Sequence, residues 1–278
     1  MKATDWKLGL SSCSTSSLDE QVFAQYSQHG IGVMEISLPT ELYKTIRWNE
    51  IKQHEKNYQV EIRSIHLPYY PFETLDLSSF DQQIRKNAID QQLELVSKAS
   101  DIGIAIAVIH PSGEPYPDHE RSERLLYARE ALSILAEKAK QYGTTIAVEN
   151  LPRTCLGNSI EEMQFLISDN DDLRICFDTN HLLKQNNSDF IRALGHQFIN
   201  IHVSDYDFLD EKHWMPYEGK TNWVELVSLL EEVGYAGPFL YEISLKKPKT
   251  LDRRDLTFAD FKVNYDCCVQ KIPAPRIL

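Results

Sequence analysis

The sequence predicts a single (β/α)8 barrel, the TIM-barrel class, over residues 1–278, with a peripheral tail at 272–278. Eight apolar runs of strand length recur along the chain, helical segments lie between them, and no shift of composition marks a second domain. Runs buried on both faces suit parallel strands, and eight of them close a ring.

The runs fall at about residues 6–12, 32–38, 61–68, 105–111, 144–151, 173–179, 199–205 and 237–244,. The clearest helix is Ser122–Gln141, where Leu125, Leu126, Ala128, Leu132, Leu135, Ala136 and Ala139 recur at helical spacing before Gly143 closes the segment,. Leu18–Gln28 before Gly30, Arg85–Ser100 before Gly103, Asp189–Leu194 before Gly195 and Trp223–Val233 before Gly234 follow the same grammar,. Ser159–Ile167 and Phe258–Val269 complete the expected helices.

Charge narrows the partners. With 41 acidic against 29 basic residues the formal net charge is −12, which disfavours a broad footprint on nucleic acid or anionic membrane. A small substrate or a cation is the easier partner. The five cysteines, at 13, 155, 176, 267 and 268, form no CxxC pair, and an odd count cannot all pair within one chain,. Reduced thiols, no apolar leader and no long apolar span together lead to the expectation of a soluble cytoplasmic protein. Homo-oligomers are common among soluble proteins, and one is expected on that ground alone.

The chemistry gathers where the runs end. Thr144-Thr-Ile-Ala-Val-Glu149-Asn150-Leu151 finishes in a carboxylate and an amide. Ile175-Cys-Phe-Asp178-Thr-Asn-His181, Ile199-Asn-Ile-His202-Val-Ser-Asp205 and Phe239-Leu-Tyr-Glu242 also finish in groups able to bind a metal. Five of the nine histidines, His66, His110, His181, His202 and His213, lie at such ends, whereas His29, His54, His119 and His196 lie in helices or other loops. Active faces of parallel barrels are built from strand C-termini. Glu149, Asp178, His202 and Glu242 therefore form a candidate set for one divalent ion, Mn, Mg, Co or Zn, with open positions for substrate oxygens.

His181, three residues after Asp178, is placed to share that pocket. The loop from His213 to Trp223 is long enough to be functional. There Gly219 is expected to let backbone approach a ligand, and Trp214 to wall the pocket. Glu35, inside the second run, reaches either the pocket floor or an internal ion pair. Lys246, Lys247, Lys249, Arg253 and Arg254 read as a solvated face, or as an attractor of acidic substrates.

At these residues the sequence resembles the xylose-isomerase-like superfamily of sugar isomerases and epimerases. The resemblance runs from His66-Leu-Pro through His110-Pro, Val148-Glu149-Asn150, Phe177-Asp178-Thr-Asn-His181 and Ile201-His202-Val-Ser-Asp205 to the His213, Gly219, Trp223 loop and Glu242. It implies that Glu149, Asp178, His202 and Glu242 bind one metal, with Glu149 and Glu242 as the catalytic acid/base pair. It also implies that His66, His110, His181 and His213 contact substrate. Asn180 departs from the glycine common before the histidine, and Tyr217 and Asn222 replace a glycine and an aspartate of the loop.

That chemistry moves a proton α to a carbonyl, and the cation stabilises the enediolate by binding its oxygens. Return on the opposite face gives epimerisation, transfer between adjacent carbons gives isomerisation, and loss of a β-hydroxyl gives dehydration, as of a polyol or keto-inositol. The same residues also resemble zinc-dependent abasic-site endonucleases. That resemblance recruits His66, His110, His181 and His213 as further ligands, with Glu211 near the position of an aspartate, but the acidic charge balance opposes a DNA substrate. A non-catalytic sugar-binding or scaffold barrel is a third reading.

Overall fold

The computed structural model describes residues 1–278. Its strands are β1 (Leu8–Ser11), β2 (Val33–Ile36), β3 (Glu61–His66), β4 (Ile106–Ile109), β5 (Thr145–Glu149), β6 (Leu173–Asp178), β7 (Phe198–His202) and β8 (Phe239–Tyr241). All neighbours pair in parallel, in the order β7-β6-β5-β4-β3-β2-β1-β8. Just past β7, Val203 closes the ring: it bridges Tyr241 in parallel, and its N–H donates to the Leu240 carbonyl at 2.8 Å. This is the expected (β/α)8 TIM barrel.

The helices are α1 (Glu20–Gln28), α2 (Trp48–Tyr58), α3 (Phe72–Leu75), α4 (Gln82–Asp101), α5 (Arg121–Lys140), α6 (Ile160–Ile167), α7 (Asn187–Leu194), α8 (Trp223–Glu232) and α9 (Phe258–Val269). Two of them, α2 and the single-turn α3, have no counterpart among the segments that helical periodicity marks. In α2 only Ile51 is buried, so a charged sequence hides the apolar stripe. None of the helices is long and apolar enough to cross a membrane.

Packing between barrel and helices is aromatic in places. Phe177 of β6 stacks on Phe198 of β7 and Phe190 of α7 with ring centroids 4.9 and 5.4 Å apart. All three are buried, and truncating one such ring to alanine costs about 3–5 kcal/mol. Gly143 ends α5 at φ 71°, as a left-handed C-cap requires,. Gly195 does not: its φ is −58°, and a side chain there would collide with Val233 of the α8 end. The tail is partly seated, because Ile277 packs against the core. The five cysteines are unpaired.

Each strand is shorter than its apolar run, and β3 to β8 stop at or just before a candidate ligand. Asn150 shows why at β5. Its side-chain carbonyl accepts the Asp178 N–H at 2.8 Å and its amide donates to the Asp178 carbonyl at 2.9 Å, so a side chain finishes the ladder between β5 and β6. Register then sets Asp178 opposite His202 on β7.

Candidate metal centre

Four side chains meet beneath the pocket: Glu149 at the end of β5, Asp178 of β6, His202 of β7 and Glu242 just past β8. His202 Nδ1 lies 3.1 Å from Glu149 Oε1, 3.3 Å from Glu242 Oε2 and 3.9 Å from Asp178 Oδ2. The ring's other nitrogen, Nε2, is 2.9 Å from Glu35 Oε1. Glu35 is buried in β2 and also accepts from Ser64 Oγ at 2.7 Å and Asn200 Nδ2 at 2.9 Å. With Nε2 donating to Glu35, Nδ1 is the nitrogen that faces the three carboxylates and would offer its lone pair to an ion bound among them, which is how a carboxylate beneath a histidine fixes its tautomer. Glu35 thus takes the second of its two expected places, an internal pair with His202 inside the barrel, and does not line the cavity.

The electrostatics of this set call for a cation. Asp178 Oδ2 is buried with no hydrogen-bond partner. Burial, then the charges of Glu242 and Glu149, push the Asp178 carboxyl well above the carboxylate range. Burial opposes ionisation of Glu149 too, but His202, His110 and His66 outweigh it and hold that carboxyl well below its usual value. Burial would lower His202, yet the anions around it, Glu35, Glu242 and Glu149 among them, hold it well above. Without a cation the set balances its charge by keeping protons on Asp178 and His202. The donor set of three carboxylate oxygens and one imidazole nitrogen suits a divalent ion, which would take the place of those protons,.

The other expected histidines surround the same place. His66 Nε2 is 3.0 Å and His110 Nε2 3.3 Å from Glu149 Oε2, making a second possible ligand group with that carboxylate. Tyr69 stacks on His110 with centroids 4.1 Å apart and walls the pocket. Burial and the charges of Glu242, Glu149 and Glu211 push its phenol up to about 12, so it stays a donor. His181, Glu211 and His213 form a third group. The His181 Nδ1 proton goes to the Asn150 carbonyl at 2.9 Å, leaving Nε2 free, 3.5 Å from Glu211 Oε2. His213 likewise places Nδ1 3.0 Å from the Glu242 carbonyl.

These groups open on a cavity of about 460 Å³, lined among others by Cys13, Tyr69, Glu114, Arg153, Glu211 and Glu242. That volume is ordinary for a small-molecule site.

Several expectations are corrected. Asp205 ends its run but is no ligand: its carboxylate accepts the N–H groups of Tyr206, Tyr217, Gly219 and Thr221 and the Trp223 indole N–H at 2.8–3.1 Å. Gly219 therefore permits close approach to Asp205, which a Cβ would strike, rather than to a ligand. Trp214 is turned away from the cavity, with its indole N–H on Thr250 Oγ1. Of the two readings of the basic run the solvated face holds for Lys246, Lys247, Lys249 and Arg254, which are exposed, while Arg253 is buried against Glu218, and none of the five lines the pocket.

The three departures from the superfamily pattern find places. Asn180 accepts the Lys212 N–H at 2.8 Å and the His213 N–H at 3.4 Å, tying the third group's loop to β6. Tyr217 sits at φ 74°, a conformation that favours the glycine it replaces,. Asn222 caps α8 by accepting from the Glu225 N–H at 3.3 Å, as an aspartate would,. Arg153 and Glu114 went unread in the sequence, because nothing local marks their pairing across two loops.

Comparison with known proteins agrees with this architecture. The chain is 28% identical over 251 residues to an uncharacterized protein of Methanocaldococcus jannaschii, MJ1311, covering 84% of this chain and 82% of that one. Among solved structures, a D-tagatose 3-epimerase-like protein superposes with a TM-score of 0.78 at 24% identity, covering 95% of this chain and 96% of the other. The D-psicose 3-epimerase of Clostridium cellulolyticum H10, solved with D-tagatose, gives 0.74 at 17% identity, with 95% and 97% covered. Identities this low establish the shared fold. The family model described as the xylose isomerase-like TIM barrel matches residues 23–260, and the chain belongs to that family.

Proposed function

We propose that the chain is a divalent-metal-dependent sugar isomerase or epimerase that moves a proton α to a carbonyl. One observation carries this reading: Glu149 and Glu242 flank a single imidazole nitrogen, His202 Nδ1, at 3.1 and 3.3 Å, and both line the cavity. Glu149, Asp178, His202 and Glu242 would hold the ion, which supplies positive charge for the developing enediolate oxygens. One of the two glutamates removes the proton. Return from the other on the opposite face gives an epimer, and return at the neighbouring carbon gives an isomer. Tyr69 and His110 narrow the cavity around the reacting atoms, while Glu35 keeps His202 in the tautomer the set requires.

The substrate class follows from the lining. Arg153 is the one lysine or arginine on the cavity wall, and it is already paired with Glu114, Asp210 and Glu211. No unpaired side-chain cation awaits a phosphate, so an unphosphorylated sugar or polyol fits best.

A specific observation favours a second reading. The groups His66–His110–Glu149 and His181–Glu211–His213 border the same cavity, and they are the side chains that the endonuclease resemblance assigns to further zinc ions. On that reading the reaction is phosphoester hydrolysis, and the acidic wall directs it to a small ester rather than to DNA.

The test pairs metal content, in protein purified without chelator, with turnover after stripping and return of single ions. Exchange of a keto-sugar proton for solvent deuterium, restored by one added metal, supports the first reading. About two to three firmly held zincs per chain, phosphoester hydrolysis and no exchange support the second. A chain that holds no ion and turns over neither substrate overturns both.

A further inference from the structure

Arg153 lies in the loop that leaves β5, four residues beyond Glu149. Its Nε is 3.0 Å from Glu114 Oε2 and its Nη2 bonds Glu114 Oε1, a two-pronged pair. Its Nη1 reaches Asp210 Oδ1 at 3.1 Å and Glu211 Oε1 at 3.2 Å. Loops after β4, β5 and β7 therefore meet on one guanidinium. Glu211 is held by one oxygen on Arg153 while the other faces His181 Nε2 at 3.5 Å. The backbone of Arg153 is left-handed at φ 49°, and its carbonyl accepts from Asn158 Nδ2 at 2.7 Å. A non-glycine residue keeps such a conformation only where its surroundings hold it there.

We infer that Arg153 is a positioning residue for Glu211, and that it sets how tightly the His181–Glu211–His213 group binds a divalent ion. The inference rests on reading that group as an ion site. Glu211 hangs from a loop with its side chain 31% exposed, so without Arg153 it turns to water, driven out by Glu114 and Asp210. Removing a positive charge beside an ion site would by itself tighten binding. Here that effect is small, because the Arg153 side chain is 36% exposed and its charge screened,, and the loss of order prevails. Lysine is no substitute, since a single ammonium cannot span three carboxylates as the planar fork does.

The experiment is calorimetric titration of Zn²⁺ into the metal-stripped full-length chain, comparing wild type with Arg153→Ala, Arg153→Lys and Glu211→Gln. In wild type more than one ion binds. Arg153→Ala weakens the outer ion about tenfold or more, Arg153→Lys recovers only part of the loss, and Arg153→Ala adds little to Glu211→Gln. The ion at Glu149, Asp178, His202 and Glu242 keeps its affinity throughout, which an unfolded variant could not show. Wild-type affinity for every ion in Arg153→Ala, or fully additive losses in the double variant, overturns the positioning role and leaves the ion site standing. Uptake of a single ion by wild type, unchanged in Glu211→Gln, overturns the ion site and the inference with it.

Discussion

The inner and outer candidate ligand groups share one cavity but are built on different ground. Glu149, Asp178 and His202 are the last residues of their strands, with side chains 0–1% exposed. Glu211 and His213 belong to the loop before α8 and are 31% and 35% exposed. Ladder hydrogen bonds fix the first group, whereas Arg153 and Asn180 fix the second. Strand-borne ligands are as rigid as the barrel, and loop-borne ones share the lower local stability of the loop. One group is suited to holding a constant ion, and the other to adjusting what meets it.

The largest effect should come from the inner group. Glu149→Gln and Glu242→Gln should each lower turnover on a responsive keto-sugar by about 10³-fold or more, with the circular dichroism of the wild type. Near-normal turnover in either variant would remove that glutamate from the acid/base role.

Next comes the support beneath it. Glu35→Gln should weaken the inner ion about 10–100-fold in competition with a chelator, the usual loss when a ligand histidine loses its carboxylate partner. An unchanged affinity would mean that the barrel alone orients His202.

The loop can be loosened by itself. Asp205→Asn replaces one acceptor oxygen with an amide aimed at N–H donors, and should cost about 2 kcal/mol in denaturant unfolding. Outer-group binding should weaken while the inner ion stays put, and equal weakening of both would erase the contrast.

The last effect concerns pH in the ion-stripped chain. Burial lowers the His66 pKa, but its hydrogen bond to Glu149 and that charge outweigh burial and raise it from 6.5 to about 9. A raised folded-state value gives stability that is full below about 6.5 and lost as pH climbs through about 9. The stripped chain should therefore lose several degrees of Tm over that interval, and a flat profile would show that the His66–Glu149 pair contributes nothing.

Much of this arrangement is legible in the sequence, and the limits have physical causes. All eight strands show as apolar runs because parallel strands are buried on both faces. The candidate ligands Glu149, Asp178, His202 and Glu242 show because each ends such a run with a polar, ionisable group. The helix α2 does not, since its buried stripe narrows to Ile51 amid lysines and glutamates. Asp205 misleads for the same reason that Glu149 informs: a carboxylate after a strand looks alike whether it faces a metal or five N–H groups. Arg153 could be read only from its partners, and these lie about 40 and 60 residues away along the chain,.

Because Asp205 gathers the backbone of residues 206–221 and the Trp223 indole beneath the loop, the base of that loop is moored independently of its tip. Leu209 at the tip is 77% exposed. A lineage moving from one substrate to another would find its most tolerant position there, at Leu209, whereas Asp210 is tied to Arg153 and Asp205 and Gly219 hold the base.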